Sequence, residues 1–148
     1  MAGYYDLGAH RLPVTTRSPE GQLWFDRGLL WCYGFNHGEA VRCFRRALES
    51  DPDCAMAYWG IAHALGPNYN KPWDAFDEAE FKSVLSEAHE ASSKAVALLD
   101  GVTEMERAII RTLPFRYPTA VPGSNPSGWV EDYATEMRQV YQRFPDHP

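Results

Sequence analysis

The chain has 148 residues, a formal net charge of −6, and 45% apolar residues. This length suffices for one compact domain with a core or for a short array of repeats, and the apolar fraction argues against a disordered chain. The negative charge and the dispersed basic residues argue against nucleic acid or an anionic membrane as the main partner.

The cysteines and the start of the chain indicate a cytoplasmic protein. The three cysteines include no Cys-x2-Cys pair, which favours reduced thiols over a disulfide framework. No apolar run approaches the roughly 20 residues of a membrane-spanning helix. Residues 1–17 lack the basic and then apolar pattern of a secretory signal.

Capping residues predict the first two helices. Ser18 followed by Pro19 predicts a helix start, and this helix should end at Gly34, where glycine supplies the backbone freedom that the turn needs. Asn36 then predicts the cap of a second helix, and Glu39 three residues later completes a capping-box-like pair.

The middle of the chain repeats these signals. Asp51 followed by Pro52 predicts the start of a third helix, which ends before the turn-forming stretch 66–72. A long helix is expected over about 73–99, with a possible early bend.

The last third of the chain predicts two more helices. Thr103 and Glu106 form a capping box that starts a short helix to about Leu113. The four prolines of 114–127 predict a loop, and a final helix is expected over about 127–144. Since no segment alternates like a strand, the predicted fold is all-α.

Residues 21–54 carry a repeat signature. The residues that share its order and spacing are Trp24, Gly28, Trp31, Ala40, Phe44, Ala47 and Pro52. They resemble the W-x3-G-x2-Y-x8-A-x3-F-x2-A-x4-P skeleton of the tetratricopeptide repeat, whose period is about 34 residues. The physical basis is that Gly28 and Ala40 are small where two helices cross closely, while large rings fill the space around them.

This resemblance extends from Ser18 over nearly the whole chain. Residues 55–101 depart from the pattern after a good start, and 103–148 form a degenerate third unit. The family implies antiparallel helix pairs stacked as a short right-handed α-solenoid of about three units, preceded here by an extended arm, 1–17. Because 144–148 resemble the link to another repeat, we expect the N-terminal part of a longer array.

The family also implies a binding groove. Tetratricopeptide arrays bind a peptide or partner helix in a concave groove lined by the first helix of each unit. Its positions fall on Gln22, Phe25, Leu29, Cys32, Met56, Trp59 and His63. The implied function is a protein-interaction module with an apolar groove. The chain's own arm, further repeats or a small molecule are alternative occupants, and burial by neighbouring helices is the alternative to an open groove.

Two groove positions argue against one specialisation of the family. Co-chaperone repeats that hold the C-terminal carboxylate of a heat-shock protein carry Lys and Asn at the fifth and ninth positions of their first unit. Phe25 and Leu29 stand there instead, so carboxylate-clamp chaperone binding is not expected.

A metal-binding or catalytic site is a second hypothesis. No HExxH, Cys-x2-Cys or acidic calcium loop occurs in the sequence. Cys32, His37 and His63 could still meet near the concave end of the first two units, with His10 brought in by the arm, as a zinc or copper site. The alternative is packing, since His37 stands where this repeat usually has Tyr; Phe35 beside it stands where Gly is common.

The loop 66–73 is a further candidate site. Insertions in repeat arrays lie on one face that is often functional. The side chains that could close over the groove are Asn68, Tyr69, Asn70, Lys71 and Trp73. A rigid connector whose Asn side chains cap backbone groups is the alternative. With no phosphate-binding glycine loop and no nucleophile elbow, a binding module is favoured over an enzyme.

Overall fold

The computed structural model describes residues 3–123 and 125–147. The regular elements among them are all helices, with no β-strand, which confirms the all-α prediction. The helices are α1 (Pro19–Tyr33), α2 (His37–Ser50), α3 (Ala55–Leu65), α4 (Glu78–Ala97), α5 (Glu104–Ile110), α6 (Leu113–Arg116) and α7 (Pro126–Arg143). Short 3₁₀ turns cover Trp73–Ala75 and Leu99–Gly101. Residues 1, 2, 124 and 148, which belong to the predicted arm and third unit, lie outside the described residues.

Neighbouring helices pack in chain order, α1 on α2, α2 on α3 and α3 on α4, while α7 packs mainly on α6. The ring of Phe44, on α2, lies at the centre of this packing. A Cβ atom added to Gly28 on α1 or to Gly60 on α3 would come within 2.6 Å of that ring. The ring therefore fills a gap that only two glycines leave open, and it fixes how closely the three helices approach.

The first helix begins and ends at the predicted residues. The Ser18 hydroxyl accepts a hydrogen bond from the Gly21 amide at 3.0 Å, and Pro19 occupies the first helical position. At the second helix the Asn36 side chain accepts from the Glu39 amide at 3.2 Å. Both caps satisfy backbone amides that have no partner inside their helix.

The reciprocal half of the predicted Asn36–Glu39 pair does not form. The Glu39 carboxylate accepts instead from the Tyr4 hydroxyl at 3.0 Å and pairs with Arg42 at 3.2 Å. A residue of the arm thus takes the acceptor that a capping box would use.

The turn between α1 and α2 corrects the prediction for Gly34. This glycine has an ordinary φ of −81°, whereas Phe35 has a φ of +60°, in the left-handed region that non-glycine residues rarely adopt. The Phe35 side chain is 61% exposed. The backbone strain at this turn therefore falls on an aromatic residue whose side chain gains little from burial.

The predicted start of the third helix is also wrong. α3 begins at Ala55, with Cys54 in the capping position, and Asp51 does not cap it. The Asp51 carboxylate accepts instead from the Thr16 hydroxyl at 2.6 Å and from the Arg17 amide at 2.9 Å. The other oxygen of this carboxylate accepts from the Asp53 amide at 3.2 Å, so Asp51 closes a turn before the helix and does not cap it.

The predicted helix over 73–99 is divided. A 3₁₀ turn holds Trp73–Ala75, and α4 begins only after Asp77, whose side chain accepts from the Glu80 amide at 2.8 Å. The Asp77 carboxylate caps the first turn of the long helix and marks where it begins.

The last third follows the prediction with one correction. Thr103 and Glu106 make both bonds of the capping box, and α7 starts within one residue of its expected position. The predicted loop 114–127, however, begins inside α6. Pro114 is compatible with this short helix because it lies in the first turn, where an amide needs no intrahelical partner.

Substituting the two glycines that face Phe44 tests the central packing. We expect Gly28→Ala and Gly60→Ala each to lower the free energy of unfolding by about 1–3 kcal/mol, because the added methyl group must displace a buried ring. Gly38→Ala is the matched control, since no atom lies within 4 Å of a Cβ there. Urea unfolding of the three variants measures the difference, and equal stabilities would contradict the close approach.

Substitution at the turn tests the strain on Phe35. We expect Phe35→Gly to raise the free energy of unfolding by about 0.5–1 kcal/mol, since glycine adopts a positive φ without the steric cost of a side chain. Gly34→Ala should leave stability nearly unchanged, because its φ is ordinary and an added Cβ would lie 3.5 Å from the Leu30 carbonyl oxygen, an ordinary van der Waals distance. Denaturant midpoints check both, and the opposite order of effects would show that Gly34 carries the strain.

Candidate functional site

The predicted groove positions are mostly inside the molecule. Six of the seven are buried, and the seventh, His63, is half-buried. Phe25, Leu29 and Trp59 belong to one buried cluster that also contains Leu113 and Tyr117 from the segment around α6. The described chain therefore fills this surface itself, which is the burial alternative to an open groove.

The arm covers the end of the same surface at Gln22. The Gln22 side chain accepts from the Val14 amide at 2.9 Å and donates to the Leu12 carbonyl at 2.8 Å. Because these bonds satisfy both ends of the buried Gln22 amide, they hold the arm in an extended course along α1.

Tyr4 fixes the first part of the arm at a different face of the first helix pair. Its ring packs edge-on against Trp24 at 5.0 Å, and its hydroxyl accepts from the Trp31 indole N–H at 2.6 Å. The same hydroxyl lies 3.1 Å from the Cys43 sulfur. The pKa of Tyr4 is raised, mainly because its hydroxyl is buried. The arm is therefore anchored by a neutral, hydrogen-bonded phenol.

The arm is also joined to α5 through a buried carboxylate. The amide and the hydroxyl of Thr15 each donate to Glu106 at 2.6 Å, and Glu106 is 1% exposed. The Thr103 amide donates to the same carboxylate at 2.8 Å. Three donors thus compensate the burial of this charge.

The four predicted metal ligands make different contacts. His10 packs on Tyr33 at 5.9 Å between ring centroids, and His37 packs on Phe35 at 6.3 Å. Burial raises the pKa of the Cys32 thiol to about 12, so it is not a thiolate near neutral pH. Within the described ranges, no three His, Cys, Asp or Glu side chains form a group that could hold a metal.

The remaining candidate ligand, His63, belongs to a cluster with a buried arginine. Arg116 is 6% exposed and donates to His63 Nδ1 at 3.2 Å and to the His63 carbonyl at 3.3 Å. It also donates to the Pro67 carbonyl at 2.5 Å. Since a guanidinium only donates, Nδ1 of His63 must accept, which assigns the proton of the neutral ring to Nε2.

Aromatic rings complete the surroundings of His63 and Arg116. The His63 ring stacks on Trp59 at 4.9 Å, and the guanidinium lies 5.1 Å from the Tyr133 ring centre on α7. Burial, and then the positive charge of Arg116, lower the pKa of His63 to about 3. The cluster therefore joins α3 to α6 and α7 through a histidine that stays neutral.

The loop 66–73 is largely a rigid connector. Asn68 and Lys71 exchange two backbone hydrogen bonds of 3.1 Å, and the Asn68 side chain accepts from the Asn70 amide at 2.9 Å. Tyr69 is 96% exposed and projects away from the core. This arrangement matches the connector interpretation for Asn68, whose side chain caps a backbone amide, whereas the last residue of the loop has a different role.

Trp73 is buried among aromatic rings. It packs on Phe81 at 4.7 Å and on Trp129 of α7 at 6.3 Å between ring centroids. Its indole N–H is buried without a hydrogen-bond acceptor among the described residues, so ring contacts rather than a hydrogen bond hold it.

A cavity of about 530 Å³ opens beside Trp73, between the start of α4 and the start of α7. Its lining residues are Pro72, Trp73, Asp74, Phe81, Pro126, Ser127, Val130 and Glu131. The walls are mainly apolar, and Val130 at its edge is 46% exposed. A cavity of this size with aromatic walls and few polar groups is typical of a binding site.

Sequence reasoning found one side of this cavity. Trp73 was a predicted loop candidate, but Val130 and Glu131 were read only as part of the final helix. The signal that could have indicated them is the apolar pair Trp129 and Val130 in the first turns of a helix that is otherwise rich in charged and polar residues.

Comparisons of this chain with protein-family models, with curated proteins and with solved structures found no match. Over the described residues, no helix has the length and apolar character needed to cross a membrane.

The neutral state of His63 predicts how stability depends on pH. The folded pKa of about 3 lies below the ordinary 6.5, so the unfolded chain binds the extra proton first as the pH falls. Stability should therefore fall from pH 6.5 towards pH 3, by less than about 1.4 kcal/mol per pH unit because the ring is half-buried. Urea unfolding at several pH values measures this slope.

Two variants isolate the contribution of His63 to that slope. His63→Gln keeps an acceptor for Arg116 but does not titrate, so we expect a flatter pH dependence between pH 6.5 and 4. His10→Gln is the matched control, because the ring of His10 is exposed. An unchanged slope in His63→Gln would show that this histidine is protonated as readily in the folded state as in the unfolded chain.

Proposed function

We propose that this protein is a tetratricopeptide-like interaction module that binds a segment of a partner protein in the aromatic cavity beside Trp73. The observation that carries this proposal is the cavity itself, an apolar space with aromatic walls and one exposed edge. The groove that the family resemblance implies is a weaker candidate, because its positions are buried by the chain.

The packing around Phe44 supports the helical-repeat part of the proposal. In the sequence skeleton, Gly28 and Phe44 occupy family positions, and the two residues meet in the structure at the crossing of α1 and α2. The chain-order packing of α1 to α4 agrees with helix pairs stacked as a short right-handed α-solenoid.

The residues that line the cavity support a protein segment as the partner. Interface cores are enriched in aromatic side chains, and an anchor side chain that enters a pocket carries much of the binding energy. Trp73 and Phe81 provide two aromatic walls, and Val130 lies at the edge where a partner backbone would pass. One large apolar side chain in the cavity, with its neighbours along the rim, fits this arrangement.

The cysteines support a cytoplasmic location for this function. Cys32, Cys43 and Cys54 are all free and buried. Buried free thiols are usual in compartments that keep cysteine reduced.

A short peptide and one surface substitution test the proposed site. The probe is a blocked five-residue peptide with Trp at the centre and Gln at the other positions, titrated into ¹⁵N-labelled protein. We expect it to shift the indole N–H resonance of Trp73, since an apolar anchor enters the cavity beside that ring. Val130→Asp should weaken binding at least tenfold, because a carboxylate would be desolvated at the apolar edge.

Val121→Asp is the matched control, since Val121 is 62% exposed and is not among the residues that line the cavity. It should bind the peptide as the unsubstituted protein does. An absent shift at Trp73, or equal binding by the two variants, would overturn the proposed site.

A further inference from the structure

Two carboxylates border the aromatic cavity. Asp74 lies in the 3₁₀ turn beside Trp73, and Glu131 lies on α7 next to Val130, so each comes from a different wall. Both are exposed. Neither side chain makes a hydrogen bond or an ion pair within the part of the chain that the structure describes. The mouth of an apolar cavity therefore carries two carboxylates that no lysine or arginine among the described residues pairs with.

The neighbouring lysine is already engaged elsewhere. Lys71 forms an ion pair with Glu80, and its ammonium lies 4.5 Å from the centre of the Phe76 ring. This segment of the chain thus already holds one of its own cations between an aromatic ring and a carboxylate. Asp74 and Glu131 line the same cavity as Trp73 and Phe81. The cavity therefore presents both carboxylates and aromatic rings, the two kinds of group that hold the Lys71 ammonium.

We propose that the segment bound in this cavity is basic, with Lys or Arg next to its apolar anchor. The inference rests on the proposed function and specifies the partner for the same site. The anchor side chain would contact Trp73 and Phe81, while the flanking ammonium or guanidinium groups would pair with Asp74 and Glu131.

Electrostatics favour this partner over a neutral or an acidic one. A cation at the rim gains the attraction of two carboxylates and, near an aromatic face, a cation–π contribution. The net charge of −6 also attracts a basic segment at long range. An acidic flank would meet two like charges in the same place.

The test compares three blocked five-residue peptides that share a central Trp. Their other positions are Lys, Gln or Glu, and each is titrated into ¹⁵N-labelled protein at low ionic strength with the Trp73 indole as reporter. We expect the Lys peptide to bind about five- to tenfold more tightly than the Gln peptide, with a difference that shrinks in 0.5 M salt. The Glu peptide should bind most weakly.

A double variant assigns the preference to the two carboxylates. In Asp74→Asn/Glu131→Gln the Lys and Gln peptides should bind equally. Glu20→Gln/Glu49→Gln removes the same formal charge from exposed positions that do not line the cavity, and it should keep most of the preference.

The outcomes separate this inference from the proposed function. If the Gln peptide shifts the Trp73 indole but the Lys peptide binds no more tightly, the basic partner is wrong. If the preference persists without Asp74 and Glu131, the pairing with these two carboxylates is wrong. In both cases the cavity remains a binding site. If none of the three peptides shifts that resonance, the proposed site itself is wrong.

Discussion

The ring of Phe44 determines how closely the first three helices approach one another. Phe44 of α2 fills the space that Gly28 and Gly60 leave on the two flanking helices, and a single methyl group at either glycine would collide with it. Since buried interiors are close-packed and not fluid, this contact sets the distance at which α1 and α3 lie. That distance sets where Trp59 and His63 of α3 lie. It thereby also sets the position of Arg116, which bonds to His63.

The rest of the molecule is tied to this centre by polar groups that are buried in pairs or networks. Arg116 connects the end of α3 with the segment before α7, and its charge is met by carbonyl oxygens and aromatic rings. The aromatic cavity lies beside Trp73, which packs on Trp129 of α7. The start of α7 is thus placed by the core, which gives the cavity a defined second wall.

The sequence predicted the features that depend on neighbouring residues and missed those that depend on distant ones. The caps at Ser18, Asn36 and Thr103 form because each needs only an amide two or three residues away. Asp51 has the same local pattern, yet one of its oxygens bonds the Asp53 amide and the other bonds the arm, whose contact no local rule contains.

The candidate site shows the same division. Trp73 was recognised because it stands in an unusual loop, but the burial of the predicted groove depends on Leu113 and Tyr117, which lie far along the chain. Likewise, Val130 and Glu131 acquire meaning only when α7 packs beside the Trp73 turn. Pairings between distant segments follow from the three-dimensional arrangement, and helix-capping patterns do not encode them.

The bond between Thr15 and Glu106 has a consequence for synthesis. The two residues are 91 positions apart, so the arm is made long before its acceptor exists. During translation the arm can bond to Gln22 and Asp51 before α5 exists, whereas the two Thr15–Glu106 bonds form only once α5 has left the ribosome. Thr15, although made early, is therefore among the last residues to complete its contacts.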